Sequence, residues 1–379
     1  MTTVKVKKAG VEKEMKIAMI GSRGIPVTYS GIETHLERLC PRLVQRGLDL
    51  VVYGKQNDSY QNNHFQGVRL RQVPAIPTKH LETLSRSFIS VLHEVFAQND
   101  IVHFHALGPS VLAFLPKACF KRTLVTVHGL DWQRAKWGRF ATGCLKAAEW
   151  TSANFCDATI CVSRCLKDYY SDKYKLEAWY VPNGVDIPYL RPADIIKSMG
   201  LESRRYILFL SRLVPEKGAH YLIEAFRQLN TRMKLVIAGG PGHTQAYVDD
   251  IKALAARDDR ILFTGFVSGR TLSELFSNAY LYVLPSEMEG LPISLLEAMS
   301  YGCCVVTSDI PENIEVVGHF GFTFKNKNSL DLKHVLGKML ASPDEVNQVG
   351  HTNRQIVRQK YNWDTIADQT LKVYESLYH

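Results

Sequence analysis

Short apolar runs recur along the chain, and most are followed by a glycine-bearing loop and then a stretch with helical spacing. In the first half, MKIAMI (15–20), LDLVVYG (48–54), GVRLRQV (67–73), IVHFHA (101–106), TLVTVHG (123–129), ATICVS (158–163) and EAWYVP (177–182) read as strands. Helical patterning covers 31–46, 81–98 and 137–154. The second half repeats this grammar, with strands at 205–211, 233–239, 260–265, 279–285 and 303–308 and helices near 218–229, 244–256, 270–278 and 292–301. Alternating strands and helices, with runs too apolar to face water, predict two α/β domains. Each is a Rossmann-like, doubly wound parallel sheet.

The segment 181–195 (VPNGVDIPYLRPADI) is rich in Pro, Gly and Asn and marks the boundary. The expected organisation is 15–190 plus 362–379 as an N-terminal domain and 191–361 as a C-terminal domain. Residues 1–14 are expected to be a flexible extension. The last segment carries Trp363, Ile366, Leu371, Tyr374 and Leu377 on one broad helical face. Ligands of open α/β sheets bind outside the carboxyl ends of the strands, so the loops after strands are where function is expected.

Composition narrows the picture. A chain of 379 residues with 46% hydrophobic and 22% charged residues is an ordinary globular composition. No apolar run approaches the ~20 residues that span a bilayer. The N-terminus lacks the apolar region of a signal peptide, so a cytoplasmic location is expected. The eight cysteines form no C-x-x-C pair and are expected to be buried free thiols. The net charge is +9, and all the excess lies in residues 1–190, which hold 25 Lys and Arg against 16 Asp and Glu. That half suits an anionic partner such as a lipid-linked phosphate or a membrane surface. Nucleic-acid binding would explain the charge but none of the loops.

Four loops carry candidate chemistry. GSRGIPVTYSGIETH (21–35) places Gly31 at a helix start, where free backbone N–H groups receive anions. It is not the dinucleotide fingerprint, and the second strand lacks the acidic residue that grips a ribose, which argues against a nicotinamide-dependent oxidoreductase. SRLVPEKGAHYLI (211–223) flanks a Pro turn with Arg212 and Lys217, a pairing suited to a diphosphate. PSEMEGLPISLLEAM (285–299) puts Glu289 before a helix and Glu297 within it, with Pro292 in the first turn and backbone donors at Gly290 and Leu291. Carboxylates accept hydrogen bonds from paired hydroxyls, as in a sugar or ribose. VTVHGLDWQRAKWGRF (125–140) sets His128 after a buried strand. Its Trp132, Trp137 and Phe140, interleaved with Arg134, Lys136 and Arg139, form a basic aromatic patch with Lys117, Lys121 and Arg122. That patch reads either as ordinary packing or as a membrane contact.

Taken together, LSRLVPEKG, VPNGVD and GFVSGRTLSELFSNAYLYVLPSEMEGLPISLLEAMSYGCCVV resemble the motifs of family 4 glycosyltransferases, which are retaining enzymes of the GT-B fold. The resemblance runs from Met15 to the final helix. The first domain is similar to a bacterial capsule and exopolysaccharide subgroup. The resemblance implies two domains facing a central cleft, with the final helix crossing back to the first. It implies that Arg212 and Lys217 bind the donor diphosphate, Glu297 the ribose hydroxyls and Glu289 the transferred sugar. Gly290, Leu291 and Pro292 would line the sugar and phosphate site, and Val267 would meet the base. Gly31 would approach the phosphate, and His128 would sit near the sugar, making His128, Glu289, Arg212 and Lys217 the expected catalytic set. A nucleotide-sugar donor, with UDP-glucose the best guess, and a saccharide or lipid-linked acceptor are expected. No cofactor and no metal are expected. The alternatives are a rhamnosyl- or N-acetylglucosaminyltransferase, a nucleotide-sugar epimerase, or a non-catalytic nucleotide-sugar-binding subunit.

Overall fold

The apolar runs form strands because their side chains are covered on both faces. Ile17, Ala18, Met19, Val102, Phe104, Leu124 and Val125 are all fully buried, as continuous runs in a parallel sheet must be. In this computed structural model the described residues are 5–8, 11–26, 31–55, 62–76, 82–133, 137–241 and 244–378. The chain divides into two units, Met1–Asn183 with Trp363–His379, and Gly184–Asn362. The crossing after Asn183 lies inside the Pro- and Gly-rich segment, earlier than the expected residue 190.

The first unit begins with a two-stranded antiparallel ribbon, β1 (Lys5–Lys8) and β2 (Val11–Glu14). Strand pairing in this segment differs from the flexible extension expected for 1–14. Alternating Val with Lys and Glu in VKVKK and VEKE is a period-two pattern too short to stand out in a charged segment. The main sheet holds β3 (Lys16–Ile20), β4 (Asp49–Lys55), β5 (His64–Phe65), β6 (Val68–Val73), β7 (Ile101–His105), β8 (Arg122–Val127), β9 (Ala158–Cys161) and β10 (Trp179–Tyr180). The spatial order is β10-β9-β8-β7-β3-β4-β6-β5, parallel except for β5 against β6. The final helix, Trp363–Ser376, packs on helix Gly31–Gln45, burying Trp363, Ile366, Val373 and Tyr374 against Leu36 and Leu39.

The second unit holds β11 (Tyr206–Leu210), β12 (Lys234–Ala238), β13 (Ile261–Gly265), β14 (Leu281–Leu284), β15 (Cys304–Ser308) and β16 (Phe322–Phe324). These form an all-parallel sheet in the order β13-β12-β11-β14-β15-β16. Each sheet has one point where strand order reverses about its first strand: between β3 and β7, and between β11 and β14. Those are the points where open α/β sheets leave a ligand crevice.

Helix Pro343–Lys360 lies outside the sequence expectation. Few large apolar residues mark it, and it docks through backbone proximity instead. A Cβ on its Gly350 would lie 2.2 Å from the Gly302 carbonyl oxygen. The cysteines are free, as expected, but Cys119 and Cys144 are exposed rather than buried because they sit on the solvent side of a turn and a helix. Among the described residues, no helix is long and apolar enough to cross a membrane.

Candidate functional site

In the second unit, the loops after β11 and β14 meet at the reversal point. The β11 loop runs through a tight turn at Pro215–Lys217, and Gly218, at φ 70°, caps helix Ala219–Arg227. A Cβ there would lie 1.9 Å from the carbonyl oxygen of Pro285, so only glycine lets the two loops close on each other. Two further contacts pin them, and a third ties the second loop to the segment after β16. The Glu287 N–H donates to Glu216 O at 2.9 Å, and Tyr221 OH to Glu287 Oε1 at 2.8 Å. Lys327 Nζ lies 2.8 Å from Glu287 Oε2. Neither Glu287 nor Lys327 was among the expected site residues. Nothing in the primary sequence links positions so far apart, and only the sheet brings them together.

Within this frame Lys217 Nζ lies 2.5 Å from Glu289 Oε1, and both side chains are largely buried. A buried ion pair repays its desolvation only with good geometry and further partners, so it is a poor device for stability alone. Arg212 sits partly buried in the same loop as Lys217. Gly290 is partly buried, and Leu291 and Pro292 are buried. Pro292 takes the N-cap position in an extended conformation, one residue earlier than the expected first turn, and helix Ile293–Ser300 follows at once. The helix's first backbone N–H groups therefore follow directly on the loop that carries Glu289, the partner of Lys217, and free helix N–H groups of this kind suit an anion. Tyr282 OH holds the helix start by donating to Ser294 Oγ at 3.0 Å or to Leu210 O at 3.1 Å. Glu297 is partly buried one turn inside that helix. Val267 is partly buried in the loop after β13, the sheet's edge strand, so the structure sets it apart from the Lys217–Glu289 pair by two strands.

In the first unit, the glycine loop after β3 presses on the end of β7. A Cβ on Gly21, at φ 118°, would lie 2.3 Å from His105 O. Glu33, in the first turn of helix Gly31–Gln45, reaches back to accept from the Arg23 N–H at 2.8 Å. Gly31 is exposed as that helix's first residue, while 27–30 of the same loop lie outside the described residues.

His128 follows β8 and belongs to a histidine cluster. Its Nε2 lies 3.2 Å from His105 Nδ1, and its ring meets that of His35 edge-on at 5.0 Å. His35 Nδ1 pairs with Asn183 Oδ1 at 3.0 Å, while His103 pairs with Tyr374 OH at 2.8 Å and Thr126 Oγ1 at 2.7 Å. The sequence signals were His103 and His105 two apart on one strand face and His35 one turn into a helix. His35, His105 and His128 offer ring nitrogens within 4.8 Å of one another, a donor set with the chemistry to hold a transition metal.

Burial depresses the His35 pKa to about 4, against the upward pull of its Asn183 bond, and burial likewise lowers His103, His105 and His128 well below the usual imidazole range. A depressed folded-state pKa means the unfolded chain takes up protons first as pH falls through 6.5. The stabilisation is therefore complete above that pH and is lost as pH falls toward 4. His35 alone accounts for roughly 3 kcal/mol across that window. Urea unfolding of the first unit should show a midpoint that falls steadily from pH 7.5 to pH 5. A midpoint unchanged over that range would contradict the assignment of neutral, buried imidazoles.

Of the aromatic patch, Trp132 is packed: its Nε1 donates to buried Glu149, which also accepts from Lys173 Nζ at 2.6 Å and Tyr169 OH at 2.9 Å. Phe140 is exposed, and Arg134 and Lys136 lie outside the described residues.

Comparison with known proteins agrees with this layout. Residues 193–367 match the family model of glycosyl transferases group 1, and residues 29–188 match that of glycosyltransferase family 4. An uncharacterised glycosyltransferase of Methanocaldococcus jannaschii is 27% identical, over 95% of this chain and 98% of its own. The alpha-maltose-1-phosphate synthase of Mycolicibacterium smegmatis is 24% identical over 96% of this chain and all of its own. In fold, the chain is similar to sucrose-phosphate synthase from Thermosynechococcus elongatus, with a TM-score of 0.83 and 20% identity over 96% of this chain and 99% of the other. It is similar also to Anabaena HepE, solved with UDP and glucose, with a TM-score of 0.81 and 19% identity over 96% of this chain and 100% of the other. Two parallel-sheet α/β units, a glycine-closed loop pair at the second sheet's reversal point and two family models that together span most of the sequence identify the chain as a member of the family 4 glycosyltransferases, of GT-B fold.

Proposed function

We propose that the chain transfers a hexose, glucose in the first instance, from a nucleoside diphosphate sugar to a hydroxyl of a saccharide or lipid-linked saccharide, with retention at the anomeric carbon. The observation that carries this reading is the Lys217–Glu289 pair at 2.5 Å, in which Glu289 lies just before helix Ile293–Ser300 and Lys217 shares its loop with Arg212. Cations and helix N–H groups suit the diphosphate, and the carboxylate suits sugar hydroxyls. Glu297 is assigned to the ribose, Val267 to the base, and Gly290, Leu291 and Pro292 to the walls around sugar and phosphate. Gly31 and His128 are assigned to the phosphate and sugar from the first unit.

In the reaction the bond from the anomeric carbon to the diphosphate oxygen breaks, and a bond to the acceptor oxygen forms on the same face. The acceptor proton passes to the departing phosphate oxygen. The chain's part is to position the two substrates and to stabilise the charge growing on the diphosphate. Arg212, Lys217 and the helix start supply that positive potential, so the reading needs no metal. Exopolysaccharide or surface-polysaccharide assembly at the inner face of the plasma membrane is the setting we assign.

A thermal-shift panel of UDP-, GDP- and dTDP-linked hexoses, each with the free nucleotide as control and each repeated after chelation, tests the reading. A selective rise with UDP-glucose, unchanged by chelation, is expected. Stabilisation by GDP-mannose instead would move the donor toward that named for a relative, the phosphatidylinositol monomannoside mannosyltransferase of Mycobacterium tuberculosis. No response to any nucleotide sugar would overturn the donor assignment.

A further inference from the structure

Helix Glu82–Phe96 of the first unit is built inside out. Its buried positions include Arg86, Ser87, Ser90 and Glu94, whereas Leu84, Phe88, Leu92 and Phe96, spaced every four residues on one stripe, are exposed. Helices on globular cores show the reverse arrangement. Three of these four polar residues are satisfied where they are, with Ser87 Oγ the exception: Arg86 pairs with Glu82 at 3.2 Å, Ser90 Oγ donates to Arg86 O at 2.8 Å, and Glu94 takes Asn99 Nδ2 at 2.8 Å and the Tyr53 hydroxyl. Rotating the helix to hide the stripe would take Glu94 away from Tyr53 and Asn99 and Glu82 away from Arg23, which lies 3.2 Å from it, so these contacts hold the apolar face outward.

The stripe continues onto the neighbouring segment. Helix Phe114–Ala118 packs against helix Glu82–Phe96, and Lys121 Nζ ties the segment to Ala97 O at 2.6 Å and Asn99 O at 3.0 Å. This adds Phe114 and Phe120, the latter 97% exposed at φ 59°. An aromatic side chain in the left-handed region is strained, and here the strain serves no internal packing. Lys121 and Arg122 directly follow Phe120, in the half of the chain that carries the whole +9 excess, while Lys117 is paired with Asp157 at 3.1 Å. Apolar side chains with cations next to them match the two layers of an anionic bilayer surface, acyl boundary and headgroups. We propose that this face, centred on Phe88, Leu92, Phe96 and Phe120, docks the enzyme on an anionic lipid bilayer. The proposal holds whichever sugar is transferred.

Flotation of the full chain with phosphatidylcholine vesicles, and with vesicles in which about one third of the lipid is phosphatidylglycerol, tests this. Binding to the anionic vesicles is expected, weakening with salt and weak to neutral vesicles. Phe96→Glu/Phe120→Glu should reduce it by ~10-fold or more, because each ring forfeits its place in the interface. Phe88→Gln, a milder change at a half-exposed site, should reduce it less, and unchanged melting temperatures would separate loss of docking from loss of fold. Absence of wild-type binding to anionic vesicles, or a double variant that floats like wild type, would overturn the proposal. So would a wild-type dimer that the double variant dissolves without any vesicle binding, since the face would then join two copies of this chain.

Discussion

Lys217→Ala is expected to lower kcat/KM by ~10³, with donor binding weakened as well as turnover slowed. Two effects add. The variant loses a cation from the proposed diphosphate site, and it leaves Glu289, held 2.5 Å from that ammonium, without it and mostly buried. An unneutralised carboxylate would then repel the incoming diphosphate. Adding Glu289→Gln to Lys217→Ala should therefore restore part of the lost donor affinity while leaving turnover low, because the sugar's partner is weakened too. The double-mutant cycle should show strong non-additivity, as expected for groups in direct contact. Measuring nucleotide-sugar affinity by calorimetry and transfer by initial rates separates the two terms. Additive losses in both would show that the pair does not act as one unit at the donor.

Arg212→Ala is expected to cost ~10² to 10³ in kcat with a smaller change in donor affinity, since its worth grows as charge develops on the leaving diphosphate. Arg212 lies in the same loop as Lys217, on the far side of the Pro215 turn. Arg212→Lys should recover only part of the loss, because an ammonium cannot reproduce the forked donors of a guanidinium. Near-normal turnover in Arg212→Ala would remove this residue from the catalytic set, whatever became of Lys217.

The two α/β units were legible from apolar runs alone, because parallel strands buried on both faces need continuous hydrophobic stretches and few other elements do. The residues proposed for the donor site were legible because loops after strands in such sheets face the crevice, and because the spacing from Glu289 to Glu297 stands on one loop and one helix turn. Strand order was not legible: nothing local says that β14 lies beside β11 and so brings Glu289 to Lys217 across intervening strands and helices.

By itself, then, the sequence determined the two-domain α/β class, most strands of the two main sheets and the candidate Arg212, Lys217, Glu289 and Glu297. Each is written in local periodicity or local spacing. Tertiary structure alone decided the closure of Gly218 on Pro285, the gathering of His35, His103, His105 and His128, and the outward turn of Leu84, Phe88, Leu92 and Phe96. These depend on contacts between distant segments. The helix at Glu82–Phe96 has helical spacing whichever way it faces, and its partners Arg23, Tyr53 and Asn99 fix which face meets water.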